Sequence, residues 1–109
     1  MRDERRKSQR VRISLPVKWF GMTGIQEARL QDISVTGCFV DTSARAEVGA
    51  TVSLQILLPS DEWLTVKGEV TSVQPGIGFG LSFNYETEFE EQSIKELCYF
   101  VSINDAVLD

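Results

Sequence analysis

From Val11 to Trp19 the chain alternates: Val11, Ile13, Leu15, Val17 and Trp19 are apolar, with Arg12, Ser14, Pro16 and Lys18 between them. A period of two belongs to a strand with one face buried. Pro16 has no amide hydrogen to give to a ladder, which predicts an edge or a bulge there. Gly21-Met22-Thr23-Gly24 reads as a turn, and a second strand is predicted over 26–33, with Ala28 and Leu30 on one face. Ser34-Val35-Thr36-Gly37 reads as a tight connection into a short strand from Cys38 to Asp41, and 43–50 as a loop ending at Gly49. Alternation returns at Val52, Leu54, Ile56 and Leu58 and stops at Pro59-Ser60-Asp61, a turn. A fifth strand runs from Trp63 to Val73, with Leu64, Val66 and Val70 opposite Lys67, Glu69 and Thr71. After the Pro75-Gly76 turn, Ile77, Phe79, Leu81, Phe83 and Tyr85 form a bulky face, and Gly78, Gly80, Ser82 and Asn84 a small one. Glycine inside a strand implies that a backbone or a ligand packs closely on that side.

The period then changes. Ile94, Leu97, Cys98 and Val101 follow the i, i+3, i+4, i+7 spacing of one helical face. Thr87 with Glu90 three residues on fits a capping box, and Glu88, Glu90 and Glu91 suit the positive end of a helix dipole. The fold class predicted is mainly β: six strands in a small antiparallel barrel, which removes sheet edges by closure, followed by a C-terminal helix. Residues 1–10 are read as a flexible basic arm, 11–102 as the barrel with its helix and 103–109 as a tail.

Composition narrows the function. The chain has 109 residues, the size of one domain, with 42% apolar and 25% charged residues, which suits a globular protein. It contains no histidine, which removes the commonest general base and the commonest metal ligand. Ser-His-Asp and Cys-His catalysis within the chain are excluded, a metal site is not expected, and a binding module without enzymatic activity is. Cys38 and Cys98 are too few and too far apart for a disulfide framework or a metal site, and both read as buried free thiols. No apolar run has the length of a membrane helix, and the N-terminus lacks the apolar stretch of a signal peptide, so membrane insertion is not expected and a cytoplasmic location is.

The net charge of −5 is unevenly spread. Arg2, Arg5, Arg6, Lys7, Arg10, Arg12 and Lys18 oppose only Asp3 and Glu4 in the first 18 residues, whereas beyond residue 85 Lys95 is the one base among seven acids. A basic arm seeks an anion, whether a phosphate ligand, a nucleic acid, an acidic partner or an acidic face of its own domain, or else is a solvated tail; the acidic body argues against tight binding along a long polyanion, which it would repel. Three local features bear on this. In Arg6-Lys7-Ser8-Gln9-Arg10 two guanidiniums four residues apart can clamp one anion, each pairing bidentately with phosphate or with the O6/N7 edge of guanine. In Asp32-Ile33-Ser34-Val35-Thr36-Gly37 a carboxylate can accept from the N1–H and N2 amine of guanine, Ser34 adds a hydroxyl, and Gly37 permits positive φ and close approach. By itself this hexapeptide reads first as an Asx/Ser turn between two strands, closed by Gly37. Gly76-Ile77-Gly78-Phe79-Gly80 lacks the helix and lysine of a phosphate loop and reads as a packed strand. Trp19 is in phase with the core, whereas Trp63 opens a strand after a turn, and both a buried and an exposed position fit it.

Taken in order, these features resemble the PilZ domain, the bacterial receptor module for the second messenger cyclic di-GMP. The resemblance rests on Arg6/Arg10 as RxxxR, Asp32/Ser34/Gly37 as DxSxxG about twenty residues on, and Gly78/Gly80/Phe83 in a late strand. It implies a six-stranded split-barrel type fold with a C-terminal helix. It implies cyclic di-GMP as ligand rather than a cofactor, held by Arg6, Arg10, Asp32, Ser34 and Gly37, with the arm closing over the barrel to present a new surface to an unknown downstream protein. Cyclic di-GMP can also stack as an intercalated dimer. Arg5 would then hold the second molecule, or else is one more solvated charge. Two other readings remain: an interaction adaptor of this fold that needs no nucleotide, and a nucleic-acid-binding barrel that uses the arm.

Overall fold

A computed structural model describes residues 10–21 and 24–108 of the chain. The described elements are β1 (Val11–Arg12), β2 (Pro16–Gly21), β3 (Gly24–Ile33), β4 (Gly37–Asp41), β5 (Thr51–Leu57), β6 (Trp63–Gln74), β7 (Gly78–Asn84) and the helix α1 (Glu88–Leu108). The strands pair in the order β1-β3-β2-β5-β6-β7-β4, all antiparallel, and β4 pairs back onto β3. That last pairing closes a six-stranded barrel of β2 to β7, with β1 as an extra strand along β3.

The strand predicted from Val11 to Trp19 is broken. β1 and β2 lie along the same partner, β3, but residues 13–15 leave the regular ladder. Arg29 holds this break: its Nε donates to Ser14 Oγ at 2.9 Å and its Nη2 to the Ser14 carbonyl at 3.2 Å. The irregularity expected of Pro16 therefore falls just before it, and Pro16 opens β2.

Alternation fills the barrel. Val17, Trp19, Val52, Leu54, Ile56, Leu64, Val66, Val70, Phe79 and Leu81 all point inward and are buried. The Trp19 and Phe79 rings meet edge to face at 4.9 Å. Helix α1 lies against β1 and β6 and adds Ile94, Leu97 and Val101 to the core. Its start is the predicted capping box, shifted by one residue on the return bond: the Glu90 amide donates to Thr87 Oγ1 at 3.2 Å, and Glu90 Oε1 accepts from the Glu86 amide at 3.0 Å.

Two expectations are corrected. Ile77 does not join the bulky face of the last strand; it sits in the turn before β7 and is 58% exposed. Cys98 is half-buried rather than buried, because its helical position borders the core face of α1; Cys38 is fully buried, and both thiols are free. Burial pushes both thiols above their ordinary pKa, Cys38 strongly, so neither is an activated nucleophile.

Candidate functional site

Asp32 owes its position to a bulge. In β3, Leu30 opposes Val40 and Asp32 opposes Phe39, so Gln31 is an extra residue with no counterpart on β4. Strict alternation from buried Leu30 would send Asp32 into the core and Ile33 outward. The inserted residue reverses the phase: Ile33 is fully buried, and Asp32 reaches the barrel surface. Cross-strand partners share a face, so Arg12, Asp32 and Phe39 stand in one row on the outside of β1, β3 and β4.

Arg10 precedes this row. Its Nη1 donates to Asp32 Oδ1 at 2.7 Å, joining two residues that are 22 positions apart in sequence. The side chains are 49% and 26% exposed, so an approaching ligand can reach both. Beside them the break between β1 and β2 opens a hollow of about 380 Å³, bordered by Arg12, Ser14, Gln31 and Asp41.

The turn after Asp32 is internally saturated. Ser34 is fully buried; its Oγ accepts from the Thr36 and Gly37 amides at 3.2 and 3.3 Å and lies 3.1 Å from Thr36 Oγ1. The Ser34 amide donates to the Gly37 carbonyl at 2.8 Å. From outside the turn, the Phe83 amide donates to the Thr36 carbonyl at 2.9 Å, and the Tyr85 hydroxyl donates to the Val35 carbonyl. Burial raises the Tyr85 pKa well above its ordinary range, which keeps that donor protonated.

The structure thus brings Arg10 and Asp32 together and treats Ser34 and Gly37 differently from expectation. The Ser34 hydroxyl faces into its own turn. Gly37 is not among the glycines with positive φ, which are Gly24, Gly49 and Gly76. Glycine is required there because a Cβ would collide with the Leu81 carbonyl on β7. The same closeness explains Gly78, where a Cβ would meet the Val40 carbonyl and the Phe39 ring. Arg5 and Arg6 lie outside the described residues. Trp63 is 44% exposed, with Lys18 Nζ 4.9 Å from its ring centroid. Sequence reasoning did not find Phe39, whose place beside Asp32 follows from the bulge register. Among the described residues no cluster of His, Cys, Asp or Glu could hold a metal ion, and no described helix is long and apolar enough to cross a membrane.

Comparison with known proteins agrees with this architecture. The profile of the PilZ domain matches residues 4–100. No curated protein sequence matches the chain. Among solved structures, the PilZ domain of CeSA from a cellulose-synthesizing bacterium superposes with a TM-score of 0.71 at 21% identity, covering 87% of this chain and 99% of that one. The PilZ domain of YcgR from Escherichia coli, solved with c-di-GMP, gives 0.71 at 15% identity, covering 93% and 94%. The K. pneumonia MrkH–c-di-GMP complex gives 0.79 at 14% identity, covering 96% of this chain and 56% of that longer one. At these identities the likeness is one of fold.

Proposed function

The chain belongs to the PilZ domain family, and from that premise we propose that it is a receptor for cyclic di-GMP that acts by binding rather than by catalysis. The observation that carries the reading is the Arg10–Asp32 pair at 2.7 Å on the barrel surface, which unites the second arginine of RxxxR with the aspartate of DxSxxG. The chemistry of the ligand matches this pair. Asp32 accepts from the N1–H and N2 amine of guanine, and a guanidinium donates to phosphate or to the O6/N7 edge. Arg6 completes the clamp from residues 1–10, and Arg12, in register with Asp32, supplies a further donor toward phosphate. Phe39 flanks the guanine on the opposite side of Asp32.

Ser34 and Gly37 serve the site by shaping it. The saturated turn fixes the end of β3 and therefore the direction of the Asp32 carboxylate. Neither needs to touch the ligand. Two structural relatives were solved with c-di-GMP, which supports the choice of ligand. Closing residues 1–10 over the barrel costs about 1–2 kcal/mol of conformational entropy per residue, so several charge-assisted bonds are required to offset it. Ligand and arm together form the surface that a downstream protein reads.

The experiment is calorimetric titration of the Arg6→Ala and Arg10→Ala variants with cyclic di-GMP. Each is expected to bind at least tenfold more weakly, about 1.4 kcal/mol, while unfolding as the wild type does. Unchanged affinity in either variant overturns the clamp.

A further inference from the structure

Helix α1 carries a second stripe besides the one it buries. Phe89, Ser93, Glu96, Phe100 and Ile103 recur at spacings of 4, 3, 4 and 3, the repeat of a helix–helix seam. Phe89 is 72% exposed, Phe100 52% and Ile103 42%, so the stripe faces solvent while Ile94, Leu97 and Val101 face the barrel. Where it passes the turn between β5 and β6, it forms one wall of a groove of about 520 Å³, with Leu58 and Pro59 as the other wall. Half-buried Ser93 also lines it, together with Phe89 and Phe100. From Phe89 to Ile103 the stripe runs fourteen residues, roughly 21 Å, the length of about four helical turns. Large exposed apolar surface bordered by polar residues marks an interaction site.

Charge selects the occupant. Glu62 and Glu96 line the groove, and Asp61 and Glu88 lie next to its lining residues in sequence. Among the described residues neither Glu62 nor Glu96 has an ion-pair partner, whereas Glu86 and Glu91 pair with Lys67 and Lys95. A second copy of this chain would bring the same acidic rim against itself. The chain's own N-terminal segment is basic, but between Met1 and Val11 it has no apolar residue to fill the groove. We propose that the groove between α1 and the β5–β6 turn docks a basic amphipathic helix of a partner protein, with its apolar face against Phe89, Leu58 and Phe100 and its lysines or arginines against Glu62 and Glu96. This surface is separate from the Arg10–Asp32 site and its use does not depend on the nucleotide.

The test uses the full chain and a fluorescein-labelled 14-residue peptide with leucines at i, i+3, i+4 and i+7 and lysines elsewhere, followed by fluorescence polarisation. A control peptide of the same composition scrambled to lose its apolar face separates docking from bulk attraction to an acidic protein. The amphipathic peptide should bind at least tenfold more tightly than the scrambled one. It should weaken at least tenfold with Phe89→Ser, an exposed position whose change leaves the circular dichroism spectrum intact, and with the Glu62→Lys/Glu96→Lys pair. Equal binding of both peptides overturns the proposal, as does wild-type affinity in Phe89→Ser. Sedimentation equilibrium of the chain alone should show a monomer. A dimer that Phe89→Ser dissolves would assign the groove to a second copy and overturn the partner helix.

Discussion

Arg10 and Asp32 are joined before any ligand is engaged, and this changes what each substitution does. The pair is partly exposed, so it contributes only about 0–1 kcal/mol to folding. In binding it acts as a unit. Arg10→Ala frees the Asp32 carboxylate, and Asp32→Ala frees the guanidinium, so a double-mutant cycle on cyclic di-GMP affinity should be non-additive by roughly 0.5–3 kcal/mol. Additive losses would mean that the two residues contact the ligand independently. Asp32→Ala should also reduce the preference for guanine over adenine, which lacks the N1–H and N2 donors; retained preference at reduced affinity would make Asp32 a positioning residue. Tyr85 offers a pH-dependent readout. Its pKa is raised in the folded state by desolvation, so its contribution to stability is complete below the ordinary value of 10.0 and lost as pH rises beyond it. Urea midpoints should therefore fall more steeply above pH 10 in the wild type than in Tyr85→Phe, and parallel curves would show that the phenol is not held by its environment. At this scale the sequence pointed to Asp32 and Arg10 through their chemistry. It did not show that Ser34 is spent inside its turn or that Gly37 is needed for space, because both depend on β7 passing behind the turn.

At the scale of elements, the bulge in β3 does most to build the site. Its trace in the sequence is a change of phase, with polar Asp32 where alternation from Ala28 and Leu30 calls for an apolar residue and Ile33 apolar one position later; only the pairing with β4 reveals that Gln31 is the extra residue. The same limit applies to the break at 13–15, where the apolar positions keep their period although the ladder does not. Turns were more readable, since their residues carry the geometry: Gly76 does take positive φ, and Asp61 takes φ 71° after Pro59-Ser60. The packing of β4 against β7 is tested by Gly37→Ala. The new methyl group meets the Leu81 carbonyl, a backbone atom that cannot swing aside, so the variant should lose about 1–3 kcal/mol by chemical denaturation. A loss below about 0.5 kcal/mol would show that the strands can separate at no cost. The start of α1 is a milder case, because Thr87→Ala removes one capping bond and should cost about 1 kcal/mol.

Across the whole molecule, a basic N-terminal segment belongs to an acidic body, and the Arg10–Asp32 contact lies where the two meet. The closure proposed for residues 1–10 predicts that tryptic cleavage after Arg6 or Lys7 is suppressed by saturating cyclic di-GMP; cleavage indifferent to ligand would remove closure from the account. Stoichiometry reports on Arg5. If it holds a second, intercalated molecule, the ratio at saturation is two in the wild type and one in Arg5→Leu, whereas a wild-type ratio of one leaves Arg5 as a solvated charge. The barrel and helix were legible as an architecture because alternation, turn chemistry and the shift to a helical period agree along the chain. The helix groove was not, because the seam at Phe89, Ser93, Phe100 and Ile103 becomes visible only once the opposite face is seen to be buried. The most direct measurement is calorimetric titration of the full chain with cyclic di-GMP, with cyclic di-AMP and GTP as controls. Saturable binding of cyclic di-GMP, at least about tenfold tighter than either control, a difference of about 1.4 kcal/mol, is the predicted result; no saturable binding of cyclic di-GMP, or equal binding of GTP, would contradict the receptor reading.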